Sequence, residues 1–137
     1  MNGPGTEQEL IVQISDPHIG YSTEIRDPER ALAAAVEEVL ALEPQPVAVI
    51  LSGDLTNSGA PEQYRRLREL LEPLPMPVHP MVGNHDDRDA LREAFSDHPE
   101  VAATEGPVQY SVRCGGMRVV VCDSFASAET DAGALGP

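Results

Sequence analysis

Three short apolar segments of the sequence each run directly into residues of the types that bind metal ions. The segments at 10–14, 47–51 and 81–83 lead into Ser15-Asp16-Pro17-His18, Ser52-Gly53-Asp54 and Asn84-His85-Asp86-Asp87. Burying such groups without partners costs several kcal/mol, so each group is expected where a strand opens into a loop. If the three strands are parallel neighbours, their carboxyl ends meet at the sheet edge where open α/β sheets bind ligands.

Helix signals separate the apolar segments. Asp27-Pro28-Glu29 has the order of an N-cap, a first helical position and an acidic first turn, and apolar residues then recur at helical spacing. The predicted elements are strands at 10–15, 47–51 and 78–82, a helix from Asp27 to about 42 with Leu32, Val36, Val39 and Leu40 on one stripe, a helix from Gly59 to Pro73 with Tyr64, Leu67, Leu70 and Leu71 on one stripe, and a short helix after Asp87 with Leu91, Ala94 and Phe95 facing inward. The order βαβαβα predicts an α/β fold with a parallel sheet.

A β-hairpin is predicted after this unit. Residues 97–107 have the composition of a loop, and strands at 108–114 and 117–122 flank the turn residues Gly115-Gly116. Residues 126–137 are predicted to be irregular. Cys114 and Cys122 lie in different predicted strands and are interpreted as core thiols. His79 is predicted to be structural, and His98 is predicted to lie on the surface.

Size and charge limit the class of protein. A chain of 137 residues with 41% hydrophobic residues fits one domain with a core. It has neither an apolar run long enough for a membrane span nor a signal-peptide pattern, so we interpret it as soluble and cytoplasmic. The net charge of -14 argues against a nucleic-acid or anionic-membrane surface. An anionic substrate would therefore require bound cations.

Each polar motif has an ordinary explanation when taken alone. Asp before Pro starts turns, Asp54 can end a strand, and residues 83–86 can form a turn followed by a helix cap. All three motifs nevertheless occupy the same place relative to a predicted parallel strand. Their joint occurrence favours a shared site.

In this order, Asp16-x-His18, Gly53-Asp54 and Gly83-Asn84-His85-Asp86 resemble the first three motifs of the calcineurin-like metallophosphoesterases. The wider sequence is similar to bacterial class III cyclic-nucleotide phosphodiesterases and their glycerophosphodiesterase relatives. This similarity rests on Ser15–His18, Ser52–Thr56, Gly59–Leu71 and Gly83–Arg88. The resemblance implies that residues 1–137 form one domain, in which the parallel sheet and the hairpin are part of a four-layer αββα sandwich.

The resemblance also implies a dinuclear metal centre, and mixed His/Asp/Asn ligation suits iron, manganese or zinc better than calcium or magnesium. Asp16 and His18 would bind the first metal, Asp54 would bridge both metals, and Asn84 would bind the second. His85 would stand beside the scissile phosphate, where it and Asn84 contact the substrate, and Asp86 would orient His85. A metal-activated hydroxide would then attack the phosphate.

The sequence also departs from the family pattern. It lacks the Gly-His and Gly-His-x-His motifs that complete both metal sites in the family, so we interpret the domain as C-terminally incomplete. A partial site is expected to bind metal weakly. Missing strands would leave apolar surface and a strand edge exposed, which predicts a homo-oligomer or a complementary C-terminal fragment.

The leading hypothesis is a metal-dependent hydrolase of a small phosphodiester, with 3',5'-cyclic nucleotides as the substrate. One alternative is a glycerophosphodiester or phosphomonoester hydrolase. Another is a catalytically silent fragment that binds metal or a partner chain. A dinucleotide- or nucleotide-binding domain of the common glycine-loop type is disfavoured, because no G-x-G-x-x-G or Walker-type loop follows the first strand.

Overall fold

The computed structural model describes residues 7–125 of the chain. Over this range it contains five strands and four helices. The five strands and three of the helices follow the predicted order, and the fourth helix is short and was not predicted. The elements are β1 (Ile11–Ile14), α1 (Pro28–Leu40), β2 (Ala48–Ser52), α2 (Pro61–Leu71), β3 (Val78–Met81), α3 (Arg88–Ala94), α4 (Pro99–Ala102), β4 (Tyr110–Cys114) and β5 (Met117–Val121). The irregular structure predicted for 126–137 lies outside the described residues.

The first three strands form the predicted parallel sheet, in the order β1-β2-β3. Ile11 is level with Ala48, and Val49 is level with Val78. The first four residues of the central strand β2 are all buried, as expected for a parallel strand covered on both faces. The carboxyl ends of the three strands therefore meet at one edge, which confirms the predicted convergence.

Helix α1 begins as predicted. The Asp27 carboxylate accepts a hydrogen bond from the backbone N–H of Arg30 at 3.1 Å, and Pro28 occupies the first helical turn. Leu32, Val36 and Val39 are buried, but Leu40 is 39% exposed. The prediction was wrong for Leu40, which lies one position past Val39 and turns away from the core in the last turn.

Helix α2 begins at Pro61 and packs its stripe into the same core. Tyr64, Leu67 and Leu71 are buried, and Leu70 is partly buried. Tyr64 is completely enclosed, so its hydroxyl needs a partner inside the protein. That partner belongs to the site described below.

Asp87 caps α3 as predicted, because its carboxylate accepts from the N–H of Ala90 at 2.8 Å. Leu91 and Phe95 are buried in the core, and Ala94 packs against it. The loop predicted over 97–107 is interrupted by the four-residue helix α4. Pro99 supplies the fixed φ that favours the start of a helical turn, and this local signal outweighs the loop-like composition.

Strands β4 and β5 form the predicted antiparallel hairpin, with Gly115 at a positive φ in its turn. The Tyr110 hydroxyl donates to the Pro80 carbonyl at 2.6 Å, which ties the hairpin to β3. Cys114 is buried as predicted, but Cys122 is exposed. Side chains alternate across an extended chain, so Cys122 points outward between buried Val121 and Asp123.

Buried Asp123 joins the hairpin to α3. Its carboxylate accepts two hydrogen bonds from the Arg88 guanidinium, at 2.7 and 3.0 Å, and one from the N–H of Val108. Burial opposes ionisation of this carboxyl group, but these donors outweigh burial and lower its pKa. The ion pair holds the hairpin against the start of the helix that follows the Asn84-His85 loop.

The two histidines outside the site pack near one another. His79 is 4% exposed, which confirms the structural prediction, and its Nδ1 lies 3.3 Å from the Glu100 carboxylate. His98 was predicted on the surface, yet its side chain is only 15% exposed because its ring packs edge-on against Phe95. Over residues 7–125, no helix has the length and apolar character needed to cross a membrane.

Candidate metal centre

Asp16, His18 and Asp54 converge at the carboxyl edge of the parallel sheet. One ligand atom from each lies within 4.8 Å of the others. His18 Nε2 is 3.9 Å from Asp16 Oδ1 and 3.7 Å from Asp54 Oδ2. The Asp54 side chain is the least exposed of the three, at 17%. The sequence-predicted ligands from two separate loops therefore face one small space.

The backbone is unusual at these three residues. Asp16, His18 and Asp54 have φ values of 53°, 47° and 49°, and they are the non-glycine residues with positive φ in the described range. Asp and His tolerate this left-handed conformation better than most residues, but it still costs about 1–3 kcal/mol each. Such strain clusters at functional sites, where the surrounding structure enforces it.

An extension of the parallel sheet enforces the left-handed backbone conformation at these residues. Beyond the end of β1, hydrogen bonds run from the N–H of Asp16 to the Gly53 carbonyl and from the N–H of His18 to the Asp54 carbonyl, at 3.2 and 3.0 Å. Ile19 and Thr56 then form an isolated parallel bridge. Backbone hydrogen bonds thus join the two loops that carry the ligands.

Asp86 joins the third loop to this pair. Its buried carboxylate accepts hydrogen bonds from five groups at 2.9 to 3.1 Å. The donors are the backbone N–H groups of Leu55, Thr56 and Gly83 and the hydroxyls of Thr56 and Tyr64. An ionised carboxylate can be buried when donors surround it in this way. Asp86 therefore fixes the loop after β3 against the loop after β2.

His85 lies at the exposed side of this junction. Its backbone N–H donates to Asp54 Oδ1 at 3.0 Å, and its ring meets the His18 ring edge-on with centroids 5.1 Å apart. The ring Nδ1 is 2.8 Å from the Asn57 carbonyl oxygen. Asp86 was predicted to orient this ring, but the direct hydrogen bond of the ring is to the Asn57 carbonyl oxygen. Asp86 contributes by holding Leu55 and Thr56, the residues that precede Asn57.

Asn84, the predicted ligand of a second metal, is exposed between two clefts. One cleft of about 380 Å³ is lined by Asp16, Asp54 and Asn84 on one side and by Cys122 and Ser124 on the other. A second cleft of about 510 Å³ is lined by Asn57, Asn84 and His85. Asn84 thus lies between the Asp16–Asp54 side and the His85 side of the site.

The donor set suits a divalent transition metal. Two carboxylates, an imidazole and a nearby amide form a mixed oxygen and nitrogen set, which favours manganese, iron or zinc over calcium or magnesium. The close approach of Asp16, His18 and Asp54 leaves two acidic side chains facing each other. A cation would relieve their mutual repulsion, so the residues fit a metal.

Sequence reasoning did not identify three features of this site. Asn57 was not singled out, because a backbone carbonyl leaves no mark on residue type. Tyr64 was assigned only to the apolar stripe, although a tyrosine among leucines signals a buried hydroxyl partner. Cys122 faces the cleft rather than the core, which the alternation of side chains after buried Val121 would have indicated.

Comparison with known proteins agrees with this geometry. Residues 10–125 match the family described as "Calcineurin-like phosphoesterase". This segment contains every residue assigned above to the site.

Individual relatives cover the same region. A "Probable cyclic nucleotide phosphodiesterase" of Rhodococcus erythropolis is 32% identical over 122 residues, covering 84% of this chain and 40% of the relative. The "3',5'-cyclic adenosine monophosphate phosphodiesterase CpdA" of Pseudomonas aeruginosa is 32% identical over 130 residues, covering 90% of this chain and 44% of the relative. A "Probable glycerophosphodiester phosphodiesterase GpdQ" of Arcobacter nitrofigilis is 31% identical over 93 residues, covering 65% and 34%. The chain spans less than half the length of these relatives.

Proposed function

The chain belongs to the calcineurin-like phosphoesterase family, and we propose on this basis that it supplies the metal-binding half of a phosphodiester hydrolase acting on 3',5'-cyclic nucleotides. The observation that carries the proposal is the approach of Asp16, His18 and Asp54 to within 4.8 Å. The names of two relatives support cyclic nucleotides as the substrate. A glycerophosphodiester stays the second candidate, because a third relative carries that name.

The residues take the following roles in this proposal. Asp16 and His18 would hold one metal ion of the iron, manganese or zinc type, Asp54 would contribute a carboxylate to this ion and to a second one, and Asn84 would contribute to holding the second ion. Metal ions bound at these residues would supply Lewis acidity to the phosphoryl group and would lower the pKa of a bound water molecule. The dense negative charge of the site makes metal loading a precondition for accepting an anionic phosphodiester.

His85 is the proton-transferring residue of the proposal. A carbonyl oxygen can only accept, so the short contact with Asn57 requires that Nδ1 carry a hydrogen. In the neutral ring Nε2 is then the acceptor, and in the charged ring it is a donor. His85 can therefore give a proton to a leaving alkoxide through Nε2 while the bond to Asn57 holds the ring in place.

The first experiment measures hydrolysis of bis(p-nitrophenyl) phosphate by the 137-residue chain with added Mn²⁺. Asp54→Asn keeps the side-chain shape and removes the charge that the shared position needs. Asp97→Asn is the matched control, because the Asp97 side chain is 58% exposed and lies outside both clefts of the site. We expect turnover in the wild type and the control and its loss in Asp54→Asn. No turnover by a folded, manganese-loaded chain would instead favour the silent-fragment hypothesis.

A partner for the hairpin is also proposed. Within residues 7–125, β5 pairs only with β4, and Met117 and Val120 on β5 are 44% and 65% exposed. An open strand edge with apolar side chains promotes association. This open edge supports self-association or pairing with a complementary fragment. A single monomeric species in light scattering would contradict this part of the proposal.

A further inference from the structure

A large cavity opens beside the metal centre, between the β1–α1 loop (residues 15–27) and the first two turns of α1. We call it the β1–α1 cavity. Its volume is about 820 Å³, and its walls include the metal-ligand candidates Asp16 and His18. This volume is within the range of small-molecule binding sites, about 300–1,000 Å³. A ligand whose phosphate lay at the metal centre could therefore extend into this cavity.

The loop that forms the outer wall is held by its own hydrogen bonds. The N–H of Tyr21 donates to the His18 carbonyl at 3.1 Å, which ties Tyr21 directly to the metal-ligand residue. The Thr23 hydroxyl accepts from the N–H groups of Ile25 and Arg26, at 3.3 and 3.0 Å. Gly20, at φ +103°, packs against the Gln63 side chain of α2, which a Cβ at this position would overlap. Tyr21 is therefore presented at a defined place.

One wall of the cavity is an aromatic and aliphatic surface. Tyr21 is 46% exposed, whereas Tyr64 is fully buried and Tyr110 is partly buried. Pro17 and Ala31 continue the apolar wall towards the helix. The face of a half-exposed tyrosine beside small apolar side chains is a platform for a flat ring rather than for a polyol.

The polar side of the cavity carries two guanidinium groups together with the acidic residues Asp16, Glu24 and Asp27. Arg26 and Arg30 both line the cavity, and neither forms an ion pair with any residue of the described range 7–125. The nearby Asp27 carboxylate is used to cap α1. The chain has 23 acidic and only 9 basic residues, so two of its few basic side chains line this one cavity. Guanidinium groups stack on heterocycles and donate to ring nitrogens and carbonyl oxygens.

We propose that the β1–α1 cavity binds the purine or pyrimidine base of a nucleotide substrate, with Tyr21 as the stacking surface and Arg26 and Arg30 as donors to the base. This assignment rests on the proposed function, and it deepens it by favouring a nucleotide over a glycerophosphodiester. A glycerol headgroup has no flat ring for Tyr21 and no ring acceptors for the two arginines.

The test uses two ligands that differ only in the base, adenosine 5'-monophosphate and ribose 5-phosphate. Their dissociation constants are measured by isothermal titration calorimetry with the full chain and Mn²⁺. The wild type should bind the nucleotide more tightly by about fivefold or more, the effect of one base–aromatic stacking contact. Tyr21→Leu should reduce this ratio to near one, and Tyr21→Phe, which keeps the ring, should preserve it.

The arginines are tested in the same way. Arg26→Gln combined with Arg30→Gln should lower the ratio of the two dissociation constants. Arg113→Gln changes an exposed residue of β4 outside the cavity and should leave this ratio unchanged. A wild-type ratio near one, undetectable nucleotide binding, or an unaltered ratio in Tyr21→Leu would each overturn the assignment. Because the readout is binding, base preference without diester hydrolysis would contradict the proposed function and leave this inference standing.

Discussion

Nδ1 of His85 lies 2.8 Å from the carbonyl oxygen of Asn57, a residue on the neighbouring loop. This contact fixes the ring without using any metal-ligand candidate. Orientation of His85 is therefore separated from metal binding, although both depend on the loop after β2. Replacing the His85 side chain should therefore lower turnover and leave metal binding largely unchanged.

His85→Gln should lower diester turnover by about 100- to 10,000-fold, the usual effect of removing a general acid or base. Metal content should stay close to that of the wild type, because the backbone N–H that donates to Asp54 is retained. The measurements are steady-state hydrolysis and metal analysis of the purified protein, with His98→Gln as the control. Metal loss as large as that of Asp54→Asn would refute the role assigned to His85.

Gly83→Ala should disrupt the junction between two site loops. A Cβ at this position would overlap the backbone N and the carboxylate of Asp54. Overpacking of this kind costs about 1–3 kcal/mol and shifts the backbone, so we expect lower free energy of unfolding and weaker manganese binding together. Gly116→Ala is the control, because its Cβ would meet only Glu9 at 3.5 Å. If the two variants behave equally in urea denaturation and metal titration, the close approach of Gly83 to Asp54 contributes neither to stability nor to metal binding.

Tyr64→Phe should lower the free energy of unfolding by about 1.5–3 kcal/mol, the range for a hydrogen bond to a charged group. Its hydroxyl donates to Asp86 at 2.9 Å, and burial, together with the nearby Asp86 charge, raises the pKa of Tyr64, so the group stays protonated. Tyr110→Phe removes a bond to a neutral carbonyl and should cost less, about 0.5–1.5 kcal/mol. Urea denaturation of both variants gives the comparison. A larger loss in Tyr110→Phe would contradict the central role of Asp86.

His79 should make stability depend on pH in mildly acidic solution. Burial lowers its pKa, opposed by nearby Glu100 and reinforced by His98. At a pH of about 6.5, His79 of the unfolded chain takes up a proton, whereas His79 of the folded protein does not. Stability is complete above that pH and is lost as pH falls towards the lower pKa of the folded protein.

The pH effect is measured by urea denaturation between about pH 7.5 and about pH 5. His79→Gln should flatten the acid-side loss in this window, whereas His98→Gln, whose ring is near but less buried, should retain most of it. An unchanged slope in His79→Gln would assign the acid-side loss to other groups.

The sequence predicted the parallel sheet and the convergence of Asp16, His18 and Asp54, because strand ends and motif positions are local properties. It did not reveal what Asp86 contacts. Four of the five donors to that carboxylate come from Leu55, Thr56 and Tyr64, which are 22 to 31 positions away in the chain. Long-range hydrogen bonds of this kind depend on how loops and helices pack, and no spacing rule encodes them.

Smaller differences have local causes. The single turn of α4 was missed because four residues are too few to show helical periodicity. Cys122 was placed in the core because a free cysteine is usually buried, whereas the hairpin exposes alternate residues such as Val120. In both cases the residue types were compatible with two arrangements, and packing selected one.

The left-handed backbone at residues 16, 18 and 54 narrows the set of amino acids that a mutational library can usefully sample there. Asparagine tolerates this conformation and matches aspartate in shape, so it removes charge alone. Alanine or glutamate would also favour a different backbone conformation. Such a replacement would remove the ligand and also disturb the hydrogen-bonded loops that carry it. A screen that ranks all replacements by activity would then confuse a misfolded loop with a missing ligand, and asparagine scanning would keep the two apart.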